Sequence, residues 1–167
     1  MSFDGTVVAG IAHELKSYLT GGYITKIAQP EKDAIVLTVK NNRTQYRLFL
    51  SANASLPLAY ITEESRKSPM TAPNFCMLLR KHLGSAKILD ISQPGLERII
   101  RIKTEHLDEM GDLSVKHLVI ELMGKYSNII LLDNEEKVLD SIKHVSMLVS
   151  SVREILPGKS YFVPEQE

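Results

Sequence analysis

Short β-rich runs, each closed by a turn signal, occupy most of this chain, and only two stretches break them with helical spacing. Residues 23–27 alternate and lead to Pro30. Residues 34–40 and 44–50 flank Asn41-Asn42, the turn chemistry of a hairpin. The pattern resumes over 87–92, then over 96–104 after the Pro94-Gly95 turn, and over 115–123. It continues over 127–132 before the Asp133-Asn134 turn, and 137–142 can pair back across that turn. One helix is predicted over 6–20, where Val8, Ile11, Leu15, Tyr18 and Leu19 share a face; Asp4 stands at its cap and Gly21-Gly22 at its stop. A second is predicted over 75–83, opened by Thr71-Ala72-Pro73 and closed by Gly84. Residues 66–72, rich in Ser, Lys, Pro and Thr, read as a loop. This order predicts an α+β domain with two largely antiparallel β-sheets and flanking helices, not a doubly wound parallel sheet.

With 167 residues, 44% of them hydrophobic and none Trp, the chain can bury a core built mainly from Ile, Leu, Val and Met. The single cysteine, Cys76, excludes an internal disulfide, and its spacing with Leu79 and Leu83 places it in the core. The start Met1-Ser2-Phe3-Asp4-Gly5 carries an acid and no basic region, so no secretory signal is expected there. No apolar run approaches the ~18 residues of a membrane span. A cytoplasmic location without membrane attachment is the expectation. The formal net charge is zero. Phosphate contact dominates nucleic-acid affinity, so this piece alone is expected to bind RNA weakly, with its basic residues gathered on one face.

Familiar catalytic patterns are incomplete. His13-Glu14 supplies half of a zinc-protease helix, but Ser17 stands where the second histidine is needed. The five histidines show no metal-ligand spacing, and no Gly-rich phosphate loop follows a strand. No catalytic residue, metal site or cofactor is expected, and no complete enzyme.

Three local features remain. Asp4-Gly5 is either a helix cap or part of a site. Arg80 and Lys81, followed by His82, fan over a wedge of the second helix that suits a phosphate; a solvated helix end would also favour cations there. In Glu97-Arg98, a regular strand over 96–104 would align Arg98 with Ile100 and Ile102. That placement aims Arg98 at a cleft or a buried partner, and a structural salt bridge with Glu97 requires distortion near Gly95.

The same segments carry a family resemblance. Ser2-Phe3-Asp4-Gly5, Gly21-Gly22-Tyr23-Ile24-Thr25-Lys26-Ile27, Pro73-Asn74-Phe75-Cys76, Leu79-Arg80-Lys81-His82, Gly95-Leu96-Glu97-Arg98-Ile99, Glu121-Leu122-Met123-Gly124-Lys125-Tyr126 and Leu156-Pro157-Gly158 follow in the order seen in the NFACT family. These are bacterial ribosome quality-control factors often labelled fibronectin-binding proteins, and the resemblance covers nearly the whole chain. It implies an NFACT N-terminal domain over 1–160, with 161–167 as a linker to further regions. It implies a fold similar to the N-terminal domain of formamidopyrimidine-DNA glycosylases. It also implies binding to obstructed large ribosomal subunits and to tRNA, alanyl in bacteria, in support of C-terminal alanine tailing, with the peptide bond made by the ribosome. The resemblance places Asp4, Glu97 and Arg98 on the tRNA-facing surface; Arg80 and Lys81 join them as candidate phosphate contacts. The acidic partner of Arg98 is Glu here, one methylene longer than the family's usual Asp.

Three other readings stay open. The family label suggests an adhesin for fibronectin or fibrinogen. The glycosylase-like fold suggests DNA repair, but Ser2-Phe3 stands where such enzymes carry a nucleophilic proline followed by Glu. A purely structural domain is the third.

Overall fold

The computed structural model describes residues 4–65, 67–147 and 153–163. Ser2-Phe3, Arg66 at the start of the expected loop and residues 164–167 of the expected linker lie outside the described residues. The elements run α1 (Gly5–Leu19), β1 (Tyr23–Glu31), β2 (Ala34–Asn41), β3 (Thr44–Ser51), β4 (Leu58–Thr62), α2 (Asn74–Leu83), β5 (Lys87–Ser92), β6 (Ile99–Leu107), β7 (Leu113–Glu121), a 3-10 turn (Gly124–Tyr126), β8 (Asn128–Asp133) and β9 (Val138–Ser141). This is an antiparallel α+β domain.

The expected two sheets are one. All nine strands join in the order β4-β3-β2-β1-β5-β6-β7-β8-β9. The two groups meet between β1 and β5, which share the single register pair Tyr23↔Lys87. Backbone bonds around it close the seam: Gly21 N to Ile88 O, Ile24 N to Ala86 O and Ile88 N to Gly22 O, each at 2.8 Å. Gly21 takes φ +89°, and a Cβ on Gly22 would stand 2.8 Å from Val39 Cγ1, so the diglycine both ends α1 and lets β1 begin against β5.

Local chemistry accounts for most elements. Asn42 and Arg43 take φ of 49° and 72°, the two positive values that a two-residue hairpin requires between β2 and β3. β1 runs on through Pro30, past the expected end, because an irregularity between Ala28 and Glu31 removes the need for a proline N–H in the ladder. β4 has no counterpart in the sequence pattern; it is a five-residue edge strand directly after the buried Pro57. Helix α1 rests chiefly on β5 and α2 on β1. Val8, Ala12, Leu15 and Leu19 of α1 pack with Phe75, Cys76, Leu79 and Leu83 of α2 in one core. Burial raises the Cys76 thiol pKa, and the sulfur lies 3.8 Å from the Ile27 carbonyl.

The β6–β7 ladder divides two cores. Ile100 and Ile102 face the main core with Leu118, Ile120 and Leu122. Ile99, Val119, Ile130 and Leu132 face a smaller one, capped by Ile155 and Tyr161. A polar clamp binds that second core: the fully buried Glu121 carboxylate pairs with Arg153 and accepts the Tyr161 hydroxyl at 2.7 Å. Burial and the Glu121 charge push the Tyr161 pKa strongly up. Tyr161, the first residue of the expected linker, is thus packed into the domain.

Candidate nucleic-acid interface

Asp4 caps α1. Its backbone is extended, and its carboxylate accepts the Val7 N–H at 2.9 Å. The capping geometry leaves the residue exposed. One residue on, the chain permits no side chain: a Cβ on Gly5 would stand 1.9 Å from the Leu96 carbonyl oxygen. The start of the helix and the loop before β6 therefore touch backbone to backbone.

Gln93 ties that contact. Its Nε2 donates to the Gly5 carbonyl at 2.8 Å and to the Glu97 carbonyl at 2.7 Å. The loop itself is a tight turn, with Glu97 N bonded to Pro94 O at 3.1 Å and Gly95 at φ +55°. The expected strand over 96–104 consequently begins later, at Ile99, and Leu96 to Arg98 belong to the turn. The register nevertheless reaches back one more pair, since Leu122 N bonds Arg98 O at 2.8 Å. Arg98 is half-buried, and its guanidinium makes no hydrogen bond or ion pair with a described residue. The salt bridge with Glu97 is absent.

The structure thus brings Asp4, Glu97 and Arg98 to one rim, where β5 ends and β6 begins. Arg80 and Lys81 stand elsewhere, on the last turn of α2, which leads through Gly84 into the opposite end of β5. Arg80 is exposed and tethered: its Nε donates to the Ile27 carbonyl on β1 at 2.9 Å. Lys81 is exposed and makes no ion pair among the described residues. No hydrogen bond or ion pair among the described residues joins the two groups.

The sequence pattern singled out His82 beside Arg80 and Lys81, but not Gln93, nor His106 and Lys116, which lie near His82. Gln93 has no motif to announce it. Lys116 had a signal, because it is a charge on the alternation otherwise occupied by Leu118 and Ile120. Among the described residues no three His, Cys, Asp or Glu side chains gather as metal ligands, and no helix is long and apolar enough to cross a membrane. A cavity of about 260 Å³ lies apart, lined by Thr25, Lys26, Thr38, Arg47, Glu64 and Ser68 among others, and includes none of the five candidate residues.

The class of protein is set by this geometry: an antiparallel α+β domain with cationic groups at two rims of one curled sheet. Residues 4–167 match the family model described as NFACT N-terminal and middle domains, and the chain belongs to that family. It is 42% identical over 165 residues to the Rqc2 homolog RqcH of Bacillus subtilis, covering 98% of this chain and 29% of that protein. It is 28% identical over 129 residues to ribosome quality control complex subunit 2 of Saccharomyces cerevisiae, covering 77% of this chain and 12% of that protein. The N-terminal domain of fibronectin-binding protein PavA from Streptococcus pneumoniae superposes with a TM-score of 0.95 at 40% identity, covering 99% of this chain and 63% of that one. The chain spans less than a third of the length of its bacterial relative.

Proposed function

We propose that this chain is the N-terminal domain of a cytoplasmic ribosome quality-control factor. In this reading the whole protein binds obstructed large ribosomal subunits and alanyl-tRNA, and supports C-terminal alanine tailing of stalled nascent chains. The observation that carries the reading is Arg98, a half-buried guanidinium with a fixed backbone and no protein partner among the described residues. Its planar fork suits an RNA phosphate. Arg80 and Lys81 meet further phosphates. Asp4 and Glu97 accept hydrogen bonds from ribose hydroxyls or base edges and limit indiscriminate phosphate binding. The domain presents the tRNA, and the bond-making chemistry is the ribosome's.

Purifying the full-length protein from cells and sequencing the accompanying RNA tests this. Large-subunit rRNA enriched together with one tRNA species, and lost in Arg98→Ala, is the expected result. Unchanged tRNA selection in Asp4→Ala and Glu97→Gln would remove those two residues from the site. The likeness to glycosylase N-terminal domains belongs to the same reading, and borohydride trapping on abasic DNA should yield no adduct. The name of the pneumococcal structure motivates the adhesin reading; protease shaving of intact cells discriminates, because a cytoplasmic factor is protected.

A further inference from the structure

On the core side of the β6–β7 ladder the register runs Ile100↔Ile120, Ile102↔Leu118, Thr104↔Lys116 and His106↔Ser114. The apolar core therefore passes into a polar ladder at the hairpin end. Lys116 is only 9% exposed. Its ammonium bonds the Ser114 hydroxyl and makes no ion pair among the described residues. A buried cation held by a single hydroxyl is poorly compensated. Helix α2, whose last turn carries Lys81 and His82, packs against β6, and Lys81, Lys116 and His106 all act on the His82 imidazole. His106 adds a buried Nδ1 without a hydrogen bond of ordinary geometry; the Ser114 backbone is the least of the influences on that ring.

The acids that face this group are already engaged. Asp108 Oδ1 accepts the Met110 and Asp112 N–H groups at 2.9 Å. Asp133 Oδ1 accepts Glu135 N at 2.8 Å and Lys137 N at 3.0 Å. Neither forms an ion pair with the cluster. Four basic groups from α2, β6 and β7 thus come together; the facing carboxylates are Asp133, opposite Lys116 across β7–β8, and Asp108, and among the described residues neither closes to ion-pair distance.

We propose that Lys81, His82, His106 and Lys116 form a binding site for a phosphate group. The shared chemistry is a compact oxyanion, taken either from an RNA backbone or from a free phosphate; only the RNA source rests on the function proposed above. Burial and the neighbouring ammonium groups hold both imidazoles below their ordinary pKa, so both are neutral near pH 7 without the anion. A bound anion raises them, and binding takes up protons. The affinity is therefore largest at low pH and declines as pH rises through the bound-state values. Asp108 opposes the anion and favours the protonated His106, which keeps the coupling short of two full protons.

The test is an NMR titration of the chain with sodium sulfate at constant ionic strength, because sulfate keeps its charge across the range studied. Sulfate should move the His82 and His106 ring signals, raise their midpoints, and bind about tenfold tighter near pH 6 than near pH 8. His13 on α1 and His144, paired with Asp140, should not respond. Lys116→Met should weaken binding at least about tenfold, and the exposed Lys81→Gln, which leaves the fold unaltered, should weaken it several-fold. Shifts no larger than chloride gives, or equal in both variants and the parent, overturn the site. A short single-stranded RNA added next separates the sources. If it displaces sulfate, the backbone is the ligand; if it leaves both rings unmoved, the oxyanion site stands and RNA is removed as its source.

Discussion

The two ends of β6 build positive charge in opposite ways. At its start, Arg98 is placed by backbone: the Gly5–Leu96 contact, the two Gln93 bonds and the Leu122 N–H fix the chain, while the guanidinium has no protein partner among the described residues. At its end, Lys116 and His106 are placed by side-chain burial, and their charge is held down by the surroundings. Strand β6 separates the turn that holds Arg98 from His106, about 26 Å at ~3.3 Å per residue. A guanidinium and a conditionally charged group thus stand at opposite ends of one ladder. The first suits salt-sensitive capture of a polyanion, and the second a contact that forms only with its ligand.

Glu121 pairs with Ile99 in register and carries the buried clamp with Arg153 and Tyr161. Glu121→Ala leaves the Arg153 charge uncompensated and should cost about 3–5 kcal/mol in urea unfolding. RNA binding should then fail through the scaffold of the Arg98 end. Arg98→Ala should do the reverse: stability within about 0.5 kcal/mol of the parent, but RNA affinity lowered by about 1.5–3 kcal/mol in a filter-binding titration of the full-length protein. Gly5→Ala falls between them. It forces the 93–98 loop off α1, costs about 1–3 kcal/mol of stability, and should weaken RNA binding while Arg98 is still present.

The smallest effect sharpens the other end. His82, His106 and His117 all titrate below the ordinary imidazole value of 6.5, each chiefly through burial. The unfolded chain therefore binds more protons than the folded one as pH falls past that value. Stability is fully present above it and declines through the acid side until the folded histidines protonate too. Urea midpoints should fall between about pH 7.5 and pH 5.5, where unfolded imidazole titrates. The slope should flatten in His106→Asn and shrink when sulfate is added.

What the sequence made legible was local. The Val8, Ile11, Leu15, Leu19 spacing and the Asp4 cap define α1, and Asn41-Asn42 marks the hairpin whose turn takes positive φ at Asn42 and Arg43. Cys76, Leu79 and Leu83 are buried on one face of α2 as their spacing requires. What stayed hidden depends on contacts between distant segments. The seam between β1 and β5 is a handful of backbone bonds, so nothing in the side-chain pattern predicts that two strand groups merge. Leu96 looked like strand until the steric demand at Gly5 placed it in a turn. Of the five candidate residues, Asp4, Glu97 and Arg98 come together. Arg80 and Lys81 lie beyond the far end of β5, a separation that local motifs do not encode.

Photo-crosslinking of alanyl-tRNA to the full-length protein, with the attached peptides read by mass spectrometry, tests whether the two rims of β6 meet tRNA. Adducts should fall in the peptides that hold Gln93 to Arg98 and Lys81 to His82, and the first should vanish in Arg98→Ala. Crosslinks confined to other surfaces of this domain, with neither rim of β6 represented, would contradict it.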